Sequence, residues 1–269
     1  MSFSPLFNIL DTKGFNILAN FPPNNWEINE KIKTNNVVSF YTNGKKWISK
    51  NISKIESNSF KRFSSKEFSI FNSKEFDSFS PVILLRITNE IDNAEYDELP
   101  NIISKKTEVP EWRSTVGYKF KNTETSYQGE INPFPQKASL LTFHPFIQYK
   151  HIENFLIFLN LEKSPIIRES TLDVFNGNNM NCIDRVLVKS NMANIIPIDK
   201  YKFKQSDLPV FCCKNMAGIP FGFGINKTHP MLSLEHTHPP SSFSLHGNRF
   251  LTQKNIKEQW FKYLYKNDI

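Results

Sequence analysis

The sequence predicts a β-rich α+β fold, with largely antiparallel sheets, few helices and an amphipathic C-terminal helix. Three observations support this class. From residue 112 onward, β-prone runs of four to eight residues follow one another with turn residues between them. No regular helical segments separate these runs, which argues against a doubly wound parallel sheet. The last stretch, TQKNIKEQWFKYLYKN, instead places its apolar residues at helical spacing.

The N-terminal part of the chain contains one hairpin signal and one internal repeat. VVSFYTNGKKWISKNI, at 37–52, has two β-prone runs around Asn43-Gly44, a dipeptide suited to a two-residue type I′ turn. Residues 57–80 repeat eight-residue units, SNSFKRFS, SKEFSIFN and SKEFDSFS. We interpret them as a packed insertion whose capping-box spacing favours short helical turns.

An acidic stretch that ends in proline, ITNEIDNAEYDELPN at 87–101, is the predicted boundary within the chain. Residues 1–95 precede it and either fold by themselves or belong to the same unit as the rest. Residues 110–269 form the predicted main β-rich domain with the C-terminal helix. Its predicted strands are STVGYKF, TSYQGEI, KASLLTF, HIENFLIFL, STLDVFNGNNMNCIDRVLV, ANIIPI, LPVFCC, GIPFGFGI and MLSLEHTH. HIENFLIFL fits a short helix equally well.

The C-terminal helix is predicted to start at a capping residue, Thr252. Ile256, Trp260, Tyr263 and Leu264 would then share one face. We expect this aromatic face to pack against a sheet. If it were exposed, it would offer a docking surface to a partner.

The composition argues against nucleic acid as the partner. The formal net charge is +7, but only six of the 33 basic residues are arginines, whose planar fork reads bases and phosphates. The lysines are scattered singly, a bias that an AT-rich genome also produces. The first residues do not resemble a signal peptide, and the longest apolar runs are far shorter than the roughly 20 residues of a membrane-spanning helix. We therefore predict a soluble, cytoplasmic protein with no membrane span.

The sequence lacks the motifs of several common enzyme classes. The chain has nine glycines and contains no Walker A loop, no GxGxxG after a strand and no GxSxG elbow. Nucleotide-driven chemistry and the α/β-hydrolase mechanism are therefore not predicted. Cys182, Cys212 and Cys213 are interpreted as reduced thiols, because no secretory context accompanies them.

The histidines supply the main hypothesis about function. Four of the six lie between His229 and His246, and two of these are separated by one residue in MLSLEHTHPP. On a strand, His236 and His238 would share a face with Cα atoms about 6.6 Å apart, so both rings could converge on one ion. His246 is the predicted third ligand, unless a cysteine of a neighbouring LPVFCC strand takes that place. Zinc or another divalent metal is the predicted cofactor.

The predicted function is therefore a metal-dependent enzyme, hydrolytic in type, in which the bound metal activates a water molecule. Glu235 is the predicted catalytic base, although on a regular strand it points away from the histidine pair. Arg249 and Arg113 lie beside aromatic residues and are predicted to bind an anionic group of the substrate.

Other interpretations remain open. The histidines fit equally well as core-edge residues that bond the backbone, with HTHPP only shaping a turn. The protein would then be a non-catalytic β-rich binding module for a glycan or a protein partner. In that case Trp112, Tyr127, Gln128 and Glu130 would form an aromatic and polar platform for a sugar-like ligand. A third hypothesis, an interaction scaffold, rests on the C-terminal helix and the phenylalanine-rich repeat.

Overall fold

The computed structural model describes residues 2–4, 9–20, 34–64, 79–89, 92–100, 112–144, 150–236 and 249–266, with the backbone alone at 2–4, 112–113 and 249–253. In chain order the strands of these ranges are β1 (Ser2–Ser4), β2 (Lys13–Asn20), β3 (Thr34–Thr42), β4 (Trp47–Glu56), β5 (Ser59–Ser64), β6 (Phe79–Pro81), β7 (Ile83–Thr88), β8 (Glu95–Tyr96), β9 (Trp112–Phe120), β10 (Thr123–Gln128), β11 (Leu140–Phe143), β12 (Ile152–Leu159), β13 (Glu169–Asn176), β14 (Asn181–Lys189), β15 (Met192–Pro197), β16 (Pro209–Cys213), β17 (Ile219–Asn226) and β18 (Met231–His236). A helix, α1 (Arg249–Leu264), follows them, and a turn of 3-10 helix, Asp199–Tyr201, precedes β16.

These strands form four sheets, here named A to D. Sheet A has the order β1-β7-β3-β4-β8, sheet B β10-β9-β2-β5, sheet C β18-β17-β12-β15-β6 and sheet D β11-β16-β13-β14. Every pairing within the described ranges is antiparallel. The predicted β-rich α+β class, with antiparallel sheets and a C-terminal helix, is confirmed.

Sheet C lies in the middle of the fold, because its strand β12 is buried on both faces. Phe155, Ile157 and Leu159 enter a central core, which sheet C shares with sheets A and B. Leu156 and Phe158 point the other way, into a second core shared with sheet D. A strand covered on both sides has an apolar residue at every position, which explains the unbroken run FLIFL. The segment HIENFLIFL is therefore a strand and not a short helix.

Sheet D is also covered on both sides, by sheet C on its inner face and by α1 on its outer face. The helix contributes Trp260, Phe261, Leu264 and Tyr265 to a small core against sheet D. The helix was predicted to pack on a sheet, and it does. The predicted face is partly wrong, because Tyr263 is 64% exposed and Phe261 and Tyr265 pack instead.

The strand predictions after residue 112 are confirmed, but one predicted neighbourhood is wrong. LPVFCC, GIPFGFGI and MLSLEHTH were expected to form one three-stranded meander. The strand β16 instead pairs with β11 and β13 in sheet D. Of the three strands expected in the meander, only β17 and β18 pair with each other, in sheet C. Cys212 and Cys213 therefore lie in a different sheet from His236.

The hairpin around Asn43-Gly44 is confirmed with a different turn. Thr42 pairs with Trp47, so the connection has four residues, 43–46, instead of two. Gly44 takes a φ of +87°, which an L side chain rarely adopts. The side-chain oxygen of Asn43 accepts two backbone N–H bonds within the loop, at 2.9 and 2.8 Å. Asn43 itself has no positive φ, so this Asx-type capping by its side chain replaces the backbone corner that a type I′ turn would place there.

The N-terminal strands pair with strands from the rest of the chain. Strand β2 pairs with β9 along its full length, and β6 pairs with β15. The first phenylalanine-rich unit forms β5, with Phe63 buried and Phe60 72% exposed. The other two units, and the helical turns predicted for them, lie outside the described residues. The division into 1–95 and 110–269 stays a prediction.

Buried asparagines tie the end of β12 to the turn between β14 and β15. The amide nitrogen of Asn160 donates to the Ala217 carbonyl at 2.7 Å, and its oxygen accepts the Asn191 N–H at 2.9 Å. The Asn191 side chain accepts the Glu162 N–H at 2.8 Å and donates to the Ser164 carbonyl at 2.8 Å. These side chains satisfy backbone groups that leave the sheets inside the protein.

The first prediction concerns how α1 is held. The Tyr265 hydroxyl donates a short hydrogen bond to Asp173, whose carboxylate is largely buried. Changing Tyr265→Phe removes this donor, so we expect the free energy of unfolding to fall by about 1–3 kcal/mol. Tyr263→Phe, on the exposed side of the same helix, is the matched control and should change it by less than about 0.5 kcal/mol. Equal effects in urea denaturation would contradict this account of the docking.

A second prediction concerns the contact between sheets C and D. A Cβ atom on Gly222 would lie 2.7 Å from Cε1 of the His144 ring. We expect Gly222→Ala to lower the free energy of unfolding by about 1–3 kcal/mol, because the ring has no room to move in a packed interface. Adding His144→Ala should remove most of that penalty, so the two changes should be strongly non-additive in urea denaturation. Additive losses would show that the contact is not the cause.

Candidate functional site

The histidine segment enters the described structure only through His236, the last residue of β18. Its ring lies in an aromatic group, with its centroid 5.5 Å from that of Tyr127 and 5.6 Å from that of Phe221. The Tyr127 hydroxyl lies 3.5 Å from Nδ1 of His236. His236 therefore packs beside two aromatic residues, one of which, Phe221, belongs to the central core.

The prediction of a metal-dependent hydrolase is wrong. Among the residues that the structure describes, no group of three histidine, cysteine, aspartate or glutamate side chains could hold a metal ion. The aromatic neighbours of His236 offer no second ligand of the kind that zinc requires. The other two predicted ligands, His238 and His246, lie outside the described residues. Their predicted role, and the predicted cofactor, therefore stay predictions.

The structure gives the strand or helix of each remaining predicted site residue, and the side chain of Glu235 alone. Glu235 is exposed and lies opposite Gly222 of β17 in sheet C. Its side chain is on the other face of β18 from Leu234 and His236, as the alternation of side chains along a strand predicts. Arg113 lies in β9 opposite Ala19, and Arg249 is the first residue of α1. The side chains of both arginines lie outside the described part, so their substrate-binding roles stay predictions.

One histidine that the sequence did not single out is deeply buried. His144 follows β11 and is 2% exposed, with its ring edge-on to Phe211 at 5.7 Å. Its Nδ1 has no hydrogen-bond partner among the described residues. Burial lowers the pKa of His144 from 6.5 to about 4, so the ring is neutral at neutral pH.

Sheets B and C meet side by side along their edge strands, β10 and β18. At one end the Thr123 hydroxyl donates to the Pro230 carbonyl at 2.8 Å. At the other end the Tyr127 ring packs against Phe221 and His236. This second end is the open end of the β9–β10 hairpin, away from the turn that joins the two strands.

A cleft opens at that end of the hairpin, with a volume of about 610 Å³. Its lining residues come from β9, from β10 and from the segment just after β10, and all carry polar side chains. They are Ser114, Thr115, Ser126, Tyr127, Gln128 and Glu130. The cleft is a shallow depression that is open to solvent. We call this group of six residues the hairpin cleft.

Two polar atoms of Ser114 and Glu130 lack hydrogen-bond partners among the described residues. Ser114 is 5% exposed, and its hydroxyl has no hydrogen bond to any described residue. The same holds for Oε2 of Glu130, whereas Oε1 accepts the Ser114 N–H at 3.3 Å. A buried polar atom without a partner costs about 1–3 kcal/mol, so such pairs are rare in the interior of a protein. Both atoms are buried, and other atoms of the two residues line the cleft.

The hairpin cleft contains three of the four residues that the sequence suggested for a sugar platform, namely Tyr127, Gln128 and Glu130. The fourth, Trp112, opens β9, and its side chain is outside the described part. Ser114, Thr115 and Ser126 were not predicted. The polar run TETSYQ, whose residues alternate between half-buried and exposed along β10, could have indicated Ser126, but Ser114 and Thr115 lie in β9.

No protein-family model, no curated protein and no solved structure matches this chain. Within the described ranges, no helix has the length and apolar character needed to cross a membrane. The hairpin cleft must therefore be interpreted from its own residues.

A third prediction follows from the buried His144. The unfolded chain binds a proton near pH 6.5, and the folded protein binds it only near pH 4. Stability is therefore fully present above pH 6.5 and is lost as pH falls towards 4. In His144→Phe, which keeps a ring and cannot titrate, the loss in free energy of unfolding between pH 7 and pH 4.5 should be smaller by about 2–3 kcal/mol.

The measurement is urea denaturation across that pH range. A variant of the exposed His229, His229→Gln, controls for the loss of a surface histidine and should follow the wild-type curve. An unchanged pH dependence in His144→Phe would show that His144 is not the group responsible.

Proposed function

We propose that this protein is a non-catalytic binding module for a small ligand rich in hydroxyl groups, of the sugar class, and that the ligand binds in the hairpin cleft. The observation that carries the proposal is the group of polar side chains along one open cleft, where the exposed Ser126 and Gln128 lie on either side of the half-buried Tyr127 in sequence.

The chemistry of the lining suits a ligand that both donates and accepts hydrogen bonds. Glu130 offers a carboxylate oxygen, which accepts only, and the exposed Ser126 offers a hydroxyl, which does either. Gln128 adds an amide with both donor and acceptor atoms. A sugar hydroxyl matches each of these groups, because it donates one hydrogen bond and accepts others.

The Tyr127 ring supports the same ligand class. It is half-buried and held in place by Phe221 and His236, so it is already fixed in the empty protein. An aromatic side chain beside polar groups is suited to a ligand with both C–H and O–H surfaces. Because the ring is preorganised, little side-chain freedom is lost when a ligand packs against it.

The lining favours binding over hydrolysis. Glycosidases of the usual kind place two carboxyl groups on either side of the scissile bond. Among the lining residues that the structure describes, Glu130 is the single carboxylate. One acid without a second lacks the acid and base pair that the reaction requires.

The fourth prediction tests the proposal directly. Ser126 and Gln128 are exposed residues of the cleft, so the double variant Ser126→Ala/Gln128→Ala should fold normally. We expect the wild-type protein to bind a subset of sugars on a printed glycan array. The double variant should bind them about tenfold more weakly, because two hydrogen bonds of about 0.5–1.5 kcal/mol each are lost. Gln205→Ala, the same kind of change at an exposed loop position away from the cleft, is the control.

A second variant separates a ligand-binding role from a structural role. Because Ser126 is exposed, Ser126→Ala alone should change the free energy of unfolding by less than about 0.5 kcal/mol, while sugar binding becomes weaker. Wild-type protein that binds no glycan, or binding that the cleft variants leave intact, would overturn the proposal.

A further inference from the structure

The surface beside the hairpin cleft carries an inference that rests on the proposed function and concerns the size of its ligand. In an antiparallel sheet, residues directly opposite each other have side chains on the same face. Gln128 lies opposite Thr115, Thr115 opposite Ile17, and Ile17 opposite Arg62, so one row of side chains crosses all four strands of sheet B. We call this side the outer face of sheet B, because the other side packs into the cores shared with sheets A and C. The hairpin cleft includes Thr115 and Gln128, so it is continuous with the outer face of sheet B.

Two phenylalanine rings of the outer face of sheet B differ widely in exposure. Phe15 is buried beneath Arg62, whose guanidinium carbon lies 3.9 Å from the centre of the ring. Phe60 is two residues before Arg62 on the same strand and therefore on the same face, yet it is 72% exposed. The residue opposite Phe60, Ala19, is half-buried, and so is Ile17. Phe60 thus ends a partly exposed apolar strip, and folding alone buries little of its ring.

Polar groups border this apolar strip. Ser126 and Gln128 are exposed on β10. On β5, Arg62 donates two hydrogen bonds to Glu124, at 3.1 and 3.0 Å, and these bonds fix its guanidinium group above the sheet. A pyranose ring has a C–H surface that suits apolar and aromatic side chains, and hydroxyl groups at its rim that suit amide, hydroxyl and guanidinium groups. The outer face of sheet B therefore offers both kinds of contact to a sugar.

The outer face of sheet B is wider than one sugar ring. Gln128 is on β10 and Phe60 on β5, the two outermost strands of this sheet. Neighbouring strands are about 4.8 Å apart, so the three spacings between these strands amount to about 14 Å. A single pyranose cannot contact both side chains.

We infer that the ligand is an oligosaccharide of about three or more residues, which lies across the strands of sheet B with hydroxyl groups bound by Gln128 at one end and a ring stacked on Phe60 at the other. The half-buried Thr115 and Ile17 form the floor between these two ends. The hairpin cleft holds the first residue of the oligosaccharide, and the strip that ends at Phe60 holds the others.

The experiment measures the affinity of the full chain as a function of ligand length. The probes are linear β-1,4-linked oligomers of D-glucose, N-acetyl-D-glucosamine, D-mannose and D-xylose, from one to six residues, and binding is followed by isothermal titration calorimetry. In at least one series we expect the trisaccharide to bind about tenfold or more tightly than the monosaccharide, because it adds stacking on Phe60. Affinity should change little beyond about four residues, because the outer face of sheet B is then fully covered.

The variant Phe60→Ala removes the stacking surface at the far end. It should lower the affinity of the trisaccharide about tenfold, to about that of the disaccharide, and should leave the free energy of unfolding nearly unchanged because the side chain is exposed. Phe60→Tyr keeps a ring at this position and should retain the affinity. Tyr263→Ala removes a similarly exposed ring from α1 and is the matched control.

Three outcomes would overturn the inference in distinguishable ways. If affinity does not depend on length, or if the gain with length survives Phe60→Ala, the ligand does not cross the outer face of sheet B, and the sugar binding proposed for the hairpin cleft stands. If light scattering shows that the wild-type chain self-associates and Phe60→Ala does not, the outer face of sheet B binds a second copy instead. If no probe of any length and no glycan of the array binds, the proposed function fails together with the inference.

Discussion

The burial of sheet C on both faces is the constraint on which the rest of the structure depends. Its strand β12 contributes alternate residues to two cores, so other sheets must cover it on both sides. Sheet D covers one side and is itself covered by α1, while sheets A and B complete the other side. Backbone groups that leave the sheets inside this stack must find partners in the protein, and Asn160 and Asn191 supply them. The hairpin cleft lies where this covering ends, at the joined edges of sheets B and C.

Local patterns in the sequence were sufficient for the fold class and for individual strands. Turn residues and period-two alternation mark strands such as β9 and β10, and the long apolar run marks β12 as an element without deciding its type. Sheet membership could not be predicted in the same way. The strand β16 is next to β17 in sequence and pairs in another sheet, because pairing between distant segments is decided by the faces that need covering. The same dependence on packing partners shifted the buried face of α1 from Tyr263 to Tyr265.

Prediction of the candidate site failed where it relied on sequence proximity. Histidines that are close in the chain suggested a metal site, yet His236 lies among aromatic rings, and no metal-binding group occurs in the described part of the chain. The aromatic and polar residues Tyr127, Gln128 and Glu130 came from one short segment and do lie together. Ser114 could not be identified, because its significance lies in being buried without a partner. That property arises only when β9 pairs with β10 and brings it beside Glu130.

The central claim is that a sugar binds in the hairpin cleft, where Ser126 and Gln128 are exposed. The most direct test is a crystal structure of the full chain soaked in a sugar that the glycan array selects. The account predicts density for the sugar in the cleft, with a hydroxyl group within hydrogen-bonding distance of Gln128. A sugar bound elsewhere on the protein, with no density in the cleft, would contradict it.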